Sequence, residues 1–204
     1  MNSGRRERMT FKDNIDKAEL VEYPVSGFEG EIMLVDNYKK LKESLKILKS
    51  ADILGFDTET KPSFRKGKVN SVALMQLSSN RQAFIFRINV IGLPGELIDI
   101  LADKSITKVG VAIHDDIKGL KYISNFREGG FIDLQDYVKK FGIKSSGLKK
   151  LSAIILGFRI SKRQQVSNWE AADLTDAQLR YAATDAWVCY EIYKKLNNHN
   201  PAVS

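Results

Sequence analysis

An apolar run, Ile53-Leu54-Gly55-Phe56, ends directly in Asp57-Thr58-Glu59, and this junction limits what the chain can fold into. A short apolar run of this kind predicts a strand that is buried in a sheet. Strand side chains alternate between the two faces, so Asp57 and Glu59 are expected on the same side of the backbone. Two carboxylates on one face can share a hard divalent cation. Taken alone, a pair of this kind is more often a solvated turn or a cap for a nearby helix than a metal site.

The composition excludes several classes of protein. The chain has 204 residues, enough for one domain, and its hydrophobic content of 43% is ordinary for a globular protein. No apolar stretch approaches the ~20 residues of a membrane span, and the first residues lack the apolar core of a signal peptide. We therefore expect no membrane partner.

The cysteine and histidine content limits the metal chemistry. The one cysteine, Cys189, excludes an internal disulfide, and we predict a cytoplasmic location from it. With two histidines beside it, a structural zinc site is not expected, and any metal would have oxygen ligands. The net charge is +7, from 32 basic and 25 acidic residues. A basic domain suits a polyanion such as nucleic acid, although many basic proteins never bind one.

Strand patterns interleave with helix patterns along the chain. Six short segments are predicted to be strands, at residues 31–35, 53–57, 72–77, 82–86, 107–111 and 131–134. The second, third and fourth of these are expected to form antiparallel hairpins. Helices are predicted at residues 37–50, 95–102, 115–124 and 148–156, and from Thr175 to about Leu196. This order predicts one α/β domain with a mixed sheet.

Local signals set the expected boundaries. Asp36 is predicted to cap the helix over 37–50, and Thr175 with Gln178 has the spacing of a capping box. We divide the chain into an irregular polar N-terminal extension at 1–28, one domain at 29–197 and a tail at 198–204.

Two further acidic groups accompany the first. Asp115 and Asp116 follow the strand at 107–111, near the start of a helix. Tyr181 and Asp185 are four residues apart on the last helix and so share one face. A carboxylate within an otherwise apolar helix is costly unless it has a partner. The alternatives are a helix N-cap for the aspartate pair and a buried tyrosine–carboxylate hydrogen bond for the last two.

Together these residues resemble the 3′–5′ exonucleases of the DEDD superfamily, in the subgroup whose third motif carries a tyrosine. The resemblance covers roughly residues 30–196, is closest to the Werner-syndrome exonuclease domain, and extends more distantly to ribonuclease D. The matching segments are Phe56-Asp57-Thr58-Glu59-Thr60, then Val109-Gly110-Val111-Ala112-Ile113-His114-Asp115-Asp116, then Ser167-Asn168-Trp169, Leu174-Thr175 and Gln178-Leu179-Arg180-Tyr181-Ala182-Ala183-Thr184-Asp185-Ala186.

The resemblance implies a fold and a site. The fold would be ribonuclease H-like, with a five-stranded mixed sheet flanked by helices. Asp57, Glu59 and Asp185 would hold one divalent cation, Mg²⁺ or Mn²⁺, and Asp57 with Asp116 would hold a second. Tyr181 would orient the attacking water. Either Asp115 or Asp116 can be the carboxylate of the second motif, and the family pattern favours Asp116.

The implied activity is metal-dependent hydrolysis of phosphodiester bonds from a 3′ end, which releases nucleoside 5′-monophosphates. DNA is the favoured substrate, as a single strand or a 3′ end. An RNA-trimming enzyme and a nucleic-acid-binding module without activity are the alternatives. The residues expected to contact the strand flank the acidic motifs, although solvated loop charge also explains the basic ones; they are Thr58, Lys61, Phe64, Arg65, Lys66, Lys68 and Arg163.

Overall fold

The computed structural model describes residues 10–63 and 70–198. Within these ranges one mixed sheet has the strand order β1-β4-β3-β2-β5-β6. The strands are β1 (Glu31–Val35), β2 (Ile53–Thr60), β3 (Val72–Ser78), β4 (Gln82–Arg87), β5 (Thr107–Gly110) and β6 (Phe131–Asp133). Strands β2, β3 and β4 are antiparallel neighbours, as expected for the two hairpins. The other pairs, β1 with β4, β2 with β5 and β5 with β6, are parallel.

The predicted α/β class with a mixed sheet is confirmed, but the count of five strands is wrong. The sequence patterns predict all six strands, whereas the family resemblance implies five. Both edge strands are paired. β1 pairs with β4 from Glu31 with Gln82 to Val35 with Phe86, and β6 pairs with β5 from Lys108 with Phe131 to Gly110 with Asp133. The ladder continues because the Lys108 N–H donates to the Gly130 carbonyl, at 2.8 Å.

The helices cover both faces of this sheet. Their bounds are α1 (Lys17–Glu22), α2 (Tyr38–Leu48), α3 (Ile88–Ile91), α4 (Gly95–Ala102), α5 (His114–Ile123), α6 (Leu134–Tyr137), α7 (Leu148–Leu151) and α8 (Asp176–Asn198). Helix α7 continues into a π-helical turn, Ser152–Leu156, so the single helix predicted over 148–156 has two parts. It ends at Gly157, as expected, with a φ of 84° that favours glycine.

Helix α8 packs unusually close to the centre of the sheet. A Cβ atom at Gly55 on β2 would lie 1.8 Å from the Ala186 carbonyl oxygen of α8. On the helix side the nearest atoms belong to the backbone of Ala186 and Tyr190. The helix has small, fully buried residues in this stretch, Ala182, Ala183 and Ala186. Small residues on α8 and on β2 thus allow the two backbones to touch. This contact determines how far each α8 side chain lies from the sheet.

The helix caps agree with the sequence at one site and differ at another. The capping box of α8 is present, because Gln178 N–H donates to Thr175 Oγ1 at 3.3 Å and Gln178 Oε1 accepts from Thr175 N–H at 3.0 Å. The predicted cap of α2, Asp36, is wrong. Asn37 is the residue with extended backbone angles next to the helix, and its side chain accepts from Lys40 N–H at 3.0 Å. Asp36 lies one residue too early and pairs with the Lys40 ammonium instead.

The N-terminal region is more ordered than the sequence suggests. Lys17–Glu22 form α1, with Asp16 as its cap, so the expectation of an irregular segment over 1–28 is wrong there. Ile15 is only 1% exposed and packs against Ala153. No helix in the described ranges is long and apolar enough to cross a membrane.

We predict that Gly55→Ala lowers the free energy of unfolding by about 1–3 kcal/mol, as overpacked substitutions do. The new methyl group has to displace the backbone of α8, which is more rigid than a side chain. Chemical denaturation with a two-state fit measures the change. The matched control is Gly95→Ala at the start of α4, where an added Cβ meets nothing within 4 Å. A Gly55→Ala variant as stable as the control would contradict the close contact.

Candidate active site

The first two carboxylates project from β2 towards α8. Gly55, Asp57 and Glu59 are every second residue of β2 and therefore share a face, and Gly55 is the one of them that lies against the α8 backbone. Across the antiparallel ladder, Asp57 lies opposite Gln76 and Glu59 lies opposite Leu74. The sequence expectation that Asp57 and Glu59 point the same way agrees with this register.

Helix α8 supplies the third carboxylate. One oxygen each from Asp57, Glu59 and Asp185 lie within 4.8 Å of one another. Asp185 is 7% exposed, and its Oδ1 atom has no hydrogen-bond partner among the described residues. Because α8 lies so close to β2, this carboxylate reaches the sheet without a loop between them. The three acidic residues that the sequence singled out in separate motifs are thus brought together.

Burial raises the pKa of each of these carboxyl groups, and repulsion from neighbouring carboxylates raises those of Asp57 and Glu59 further. Burial is the larger cause for Asp57, whose pKa lies well above its ordinary value, and the charges of Asp185, Glu59 and Asp116 add to it. Burial, then Asp185 and Asp116, raises the pKa of Glu59 to about 9. Burial raises the pKa of Asp185 to about 7, although hydrogen bonding from Tyr181 and the charge of Lys162 oppose the rise.

The fourth carboxylate comes from the start of α5, which follows β5 through a tight turn. Ala112 has a φ of 58°, a left-handed conformation that is unfavourable for a residue with a Cβ. The Asp133 carboxylate stabilises this turn by accepting from the N–H groups of Ala112 and Ile113, both at 3.1 Å. The turn leads into α5, whose first turn contains Asp115 and Asp116.

The two aspartates differ in their surroundings. Asp116 is half-buried, accepts a hydrogen bond from the Thr58 hydroxyl, and lies near enough to Asp57 and Glu59 for its charge to raise the pKa of both. Asp115 is exposed. Of the two candidates for the second motif, Asp116 is therefore the one beside the cluster.

Tyr181 lies one turn before Asp185 on α8. Its pKa is raised from the ordinary tyrosine value, first by burial and then by the charges of Asp185 and Glu59, so the phenol stays protonated at any physiological pH. Its ring lies 5.9 Å from the ring of Trp169, centroid to centroid. Trp169 is fully buried, so it is a packing residue beneath the tyrosine.

A small cavity of about 170 Å³ opens onto the cluster and contains side chains that the sequence did not single out as ligands. Asp57, Tyr181 and Asp185 form one wall. Lys149, Lys162 and Gln165 form another. Lys149 is the second residue of α7 and lies in an ordinary lysine-rich helix pattern. The sequence around it therefore contains no signal that it lies near the carboxylates.

The residues predicted to contact a strand are placed as follows. The Thr58 hydroxyl is engaged with Asp116. Lys61 forms an ion pair with Glu170, with 3.2 Å between Nζ and Oε2, so its charge is already partly neutralised. Arg163 and Arg180 line a separate cavity of about 390 Å³ that shares Tyr181 with the acidic site. The predictions for Phe64, Arg65, Lys66 and Lys68 lie outside the described residues.

The chemistry of the donor set fits divalent metal ions. Asp57, Glu59 and Asp185 offer only carboxylate oxygens, which hard cations such as Mg²⁺ and Mn²⁺ prefer. None of the ion pairs in the described part of the chain includes these residues. A bound cation would remove their mutual repulsion and provide a partner for the orphaned Asp185 Oδ1 atom.

The raised pKa values predict how the metal-free protein responds to pH. Glu59 and Asp185 bind protons more tightly in the folded chain, with pKa values of about 9 and about 7, than in the unfolded chain, where carboxyl pKa values are about 4. The folded state therefore holds more protons in this range, and its stability falls as pH rises from about 4 to about 9.

Thermal melting in chelator between pH 5 and 9 measures this fall. Asp185→Asn is expected to flatten the pH dependence, because one of the repelling charges is removed. Asp136→Asn, at an exposed site, is the matched control and should follow the wild type. Identical slopes for Asp185→Asn and the wild type would contradict the predicted repulsion.

Comparison with known proteins identifies the family to which the chain belongs. The profile of a 3′–5′ exonuclease family matches residues 32–200. The chain is 38% identical over 71% of its length to exonuclease 3′–5′ domain-containing protein 2 of Drosophila melanogaster. It is 34% identical over 74% of its length to the bifunctional 3′–5′ exonuclease/ATP-dependent helicase WRN of Mus musculus. These matches span only 25% and 11% of the two relatives.

Solved structures show the same architecture. The Aedes aegypti Nibbler EXO domain superposes with a TM-score of 0.76 at 26% identity, over 86% of this chain and 92% of that one. Escherichia coli RNase D, an exoribonuclease involved in structured RNA processing, superposes with a TM-score of 0.75 at 23% identity, over 83% of this chain and 45% of that one. The sheet flanked by helices is thus the fold of ribonuclease H-like exonucleases, and the chain belongs to the 3′–5′ exonuclease family of hydrolases that act on nucleic acid with divalent metal ions.

Proposed function

We propose that this protein is a metal-dependent exonuclease of the tyrosine-containing DEDD subgroup, similar to the Werner-syndrome exonuclease domain, and that it removes nucleotides from the 3′ end of DNA. The observation that carries the proposal is the convergence of Asp57, Glu59 and Asp185 within 4.8 Å, with Asp116 beside them. Membership of the exonuclease family supports the reaction class.

Each carboxylate has a proposed role in holding metal. Asp57, Glu59 and Asp185 would hold one ion, and Asp57 with Asp116 would hold a second, each Mg²⁺ or Mn²⁺. When bound, two such ions stabilise negative charge on the attacking and the leaving oxygen of a phosphodiester. Thr58 contributes indirectly, because its hydroxyl donates to Asp116 and restricts the orientation of that carboxylate. Asp133 contributes by holding the turn that leads to Asp116.

Tyr181 has the chemistry of an orienting group and not of a general base. Its raised pKa keeps the proton on the phenol, and a base that is protonated at working pH cannot accept another proton. The hydroxyl proton is directed to Asp185, which leaves the phenolic oxygen free to accept a hydrogen bond from a water. Attack of that water on phosphorus would break the bond to the 3′ oxygen of the preceding nucleotide. The products are a nucleoside 5′-monophosphate and a strand with a new 3′ hydroxyl.

The choice of DNA rests on sequence similarity to the Werner-type domain. RNA trimming is the second candidate, and the specific observation for it is the likeness of the fold to RNase D. The phosphodiester chemistry is the same for both polymers, and contacts to the 2′-hydroxyl distinguish them. Four carboxylates and the tyrosine are all present, which disfavours a binding module that has lost activity.

The direct test uses 5′-labelled DNA and RNA strands of identical sequence with Mg²⁺, Mn²⁺ or chelator. We expect a ladder that shortens from the 3′ end of DNA with either metal, and none with chelator. Shortening of RNA alone would replace DNA by RNA as the substrate. A purified protein that shortens neither strand with either metal would overturn the proposed function.

Removing one carboxylate should abolish activity without unfolding the protein. For Asp57→Asn and Asp185→Asn we expect kcat/KM to fall by at least about 10³-fold, the scale of losses when an electrostatic stabiliser of a transition state is removed. Melting temperature in chelator should not fall, because each variant removes a repelling charge. Asp136→Asn is again the matched control. Full nuclease activity in either site variant would refute the metal-ligand assignment.

A further inference from the structure

Arg87 is the last residue of β4, and its positively charged side chain is buried. It is 6% exposed, and no carboxylate in residues 10–63 or 70–198 forms an ion pair with it. Its two terminal nitrogens instead donate to two consecutive backbone carbonyls, those of Ala172 and Ala171, each at 2.5 Å. Burying an arginine without a counter-ion costs free energy of folding. Its forked contact with this one segment therefore indicates a role other than stabilising the fold.

The segment that Arg87 holds, residues 168–172, is fixed at other points as well. Gln178 of α8 donates from its side-chain amide to the Asn168 carbonyl, at 3.4 Å. The Ala171 N–H donates to the same carbonyl at 3.2 Å, which closes a turn. Glu170 forms the ion pair with Lys61, the residue that follows β2. We call residues 168–172 the brace segment.

The brace segment carries Trp169 into the interior. Trp169 is fully buried in a cluster that includes Leu74 of β3 and Ala182 of α8. Leu74 lies opposite Arg87 on one side and opposite Glu59 on the other, so Arg87, Leu74 and Glu59 form one row on the face that α8 covers. Arg87 is thus on the same face of the sheet as the carboxylate cluster, with the tryptophan between.

The ring of Trp169 contacts the ring of Tyr181. Their centroids are 5.9 Å apart with an angle of 33° between the planes. Helix α8 fixes the backbone of Tyr181, but the position of a tyrosine hydroxyl also depends on which side chains pack against its ring. Trp169 supplies that packing surface, and the position of Trp169 depends on the carbonyls that Arg87 holds.

We propose that Arg87 is a positioning residue for the exonuclease reaction, which sets the place of the Tyr181 hydroxyl through the brace segment and Trp169. This role rests on the proposed function. Arg87 touches neither substrate nor metal. Its effect is therefore on turnover and not on binding of the strand, and it requires the Tyr181 hydroxyl to be present.

The test is a double-mutant cycle on the full chain, with single-strand DNA and Mg²⁺. Arg87→Met is expected to lower kcat by about 10-fold, since misplacement of a reacting group by a fraction of an ångström has effects of this order, with KM unchanged. Arg87→Lys keeps a cation that can reach one carbonyl but lacks the fork, so its kcat should lie between those of Arg87→Met and the wild type. Arg81→Met, on the exposed end of the same hairpin, is the matched control and should keep the wild-type kcat.

The informative arm combines these changes with Tyr181→Phe, which keeps the ring and removes the hydroxyl. If Arg87 acts through that hydroxyl, Arg87→Met or Arg87→Lys lowers kcat no further in the Tyr181→Phe protein. If the same factor is lost with and without the hydroxyl, Arg87 has a general structural role and the proposal is overturned. If circular dichroism shows that the Arg87→Met protein is unfolded, the comparison is made with Arg87→Lys alone.

The outcome also separates this proposal from the proposed function. A wild-type protein without nuclease activity, or a Tyr181→Phe protein with full activity, removes the tyrosine role and the positioning role together. If the wild type is active and the Arg87 and Tyr181 substitutions lower kcat independently of each other, only the positioning role is refuted. The nuclease assignment then stands.

Discussion

The close contact between α8 and β2 is the constraint on which the acidic site depends. Gly55 has no room for a Cβ because the Ala186 carbonyl oxygen occupies that space. The contact brings Asp185 to the level of Asp57 and Glu59, which project from the same face of β2. A larger separation between α8 and β2 would move Asp185 away from the other two carboxylates. The small residues of α8 are therefore part of the site, although none of them is a ligand.

The same closeness makes the site electrostatically unfavourable without a cation. Burial raises the pKa values of Asp57, Glu59 and Asp185, and repulsion adds to the rise for Asp57 and Glu59. No basic side chain in the described ranges forms an ion pair with the three carboxylates. The fold holds this arrangement because hydrophobic contacts on both faces of the sheet stabilise it independently. Clusters of groups that lower the stability of the fold and have shifted pKa values are typical of catalytic centres.

Much of the acidic site could be predicted from the sequence because two short-range periodicities determine it. Alternation along a strand places Asp57 with Glu59, and the spacing of four along a helix places Tyr181 with Asp185. The choice of Asp116 over Asp115 required the family pattern, since neighbouring residues on a helix start are equivalent by periodicity. Contacts between distant segments carried no local signal, as with the ion pair of Lys61 and Glu170. The cap of α2 was misplaced because Asp36 and Asn37 are adjacent and both suit the position.

Helix α8 is also the element with the widest set of neighbours, since it packs against β1, β2, β3, β4 and β5. Its middle, from Ala182 to Cys189, is almost wholly buried. Amide hydrogens in such a segment exchange with solvent only when the whole domain unfolds, whereas loops and short helices exchange by local opening. We therefore expect Asp185 to leave its place in the carboxylate cluster only when the domain unfolds. Under the proposed function, a strand would enter and a nucleotide would leave without opening of α8, because we expect this helix to stay folded in the native state.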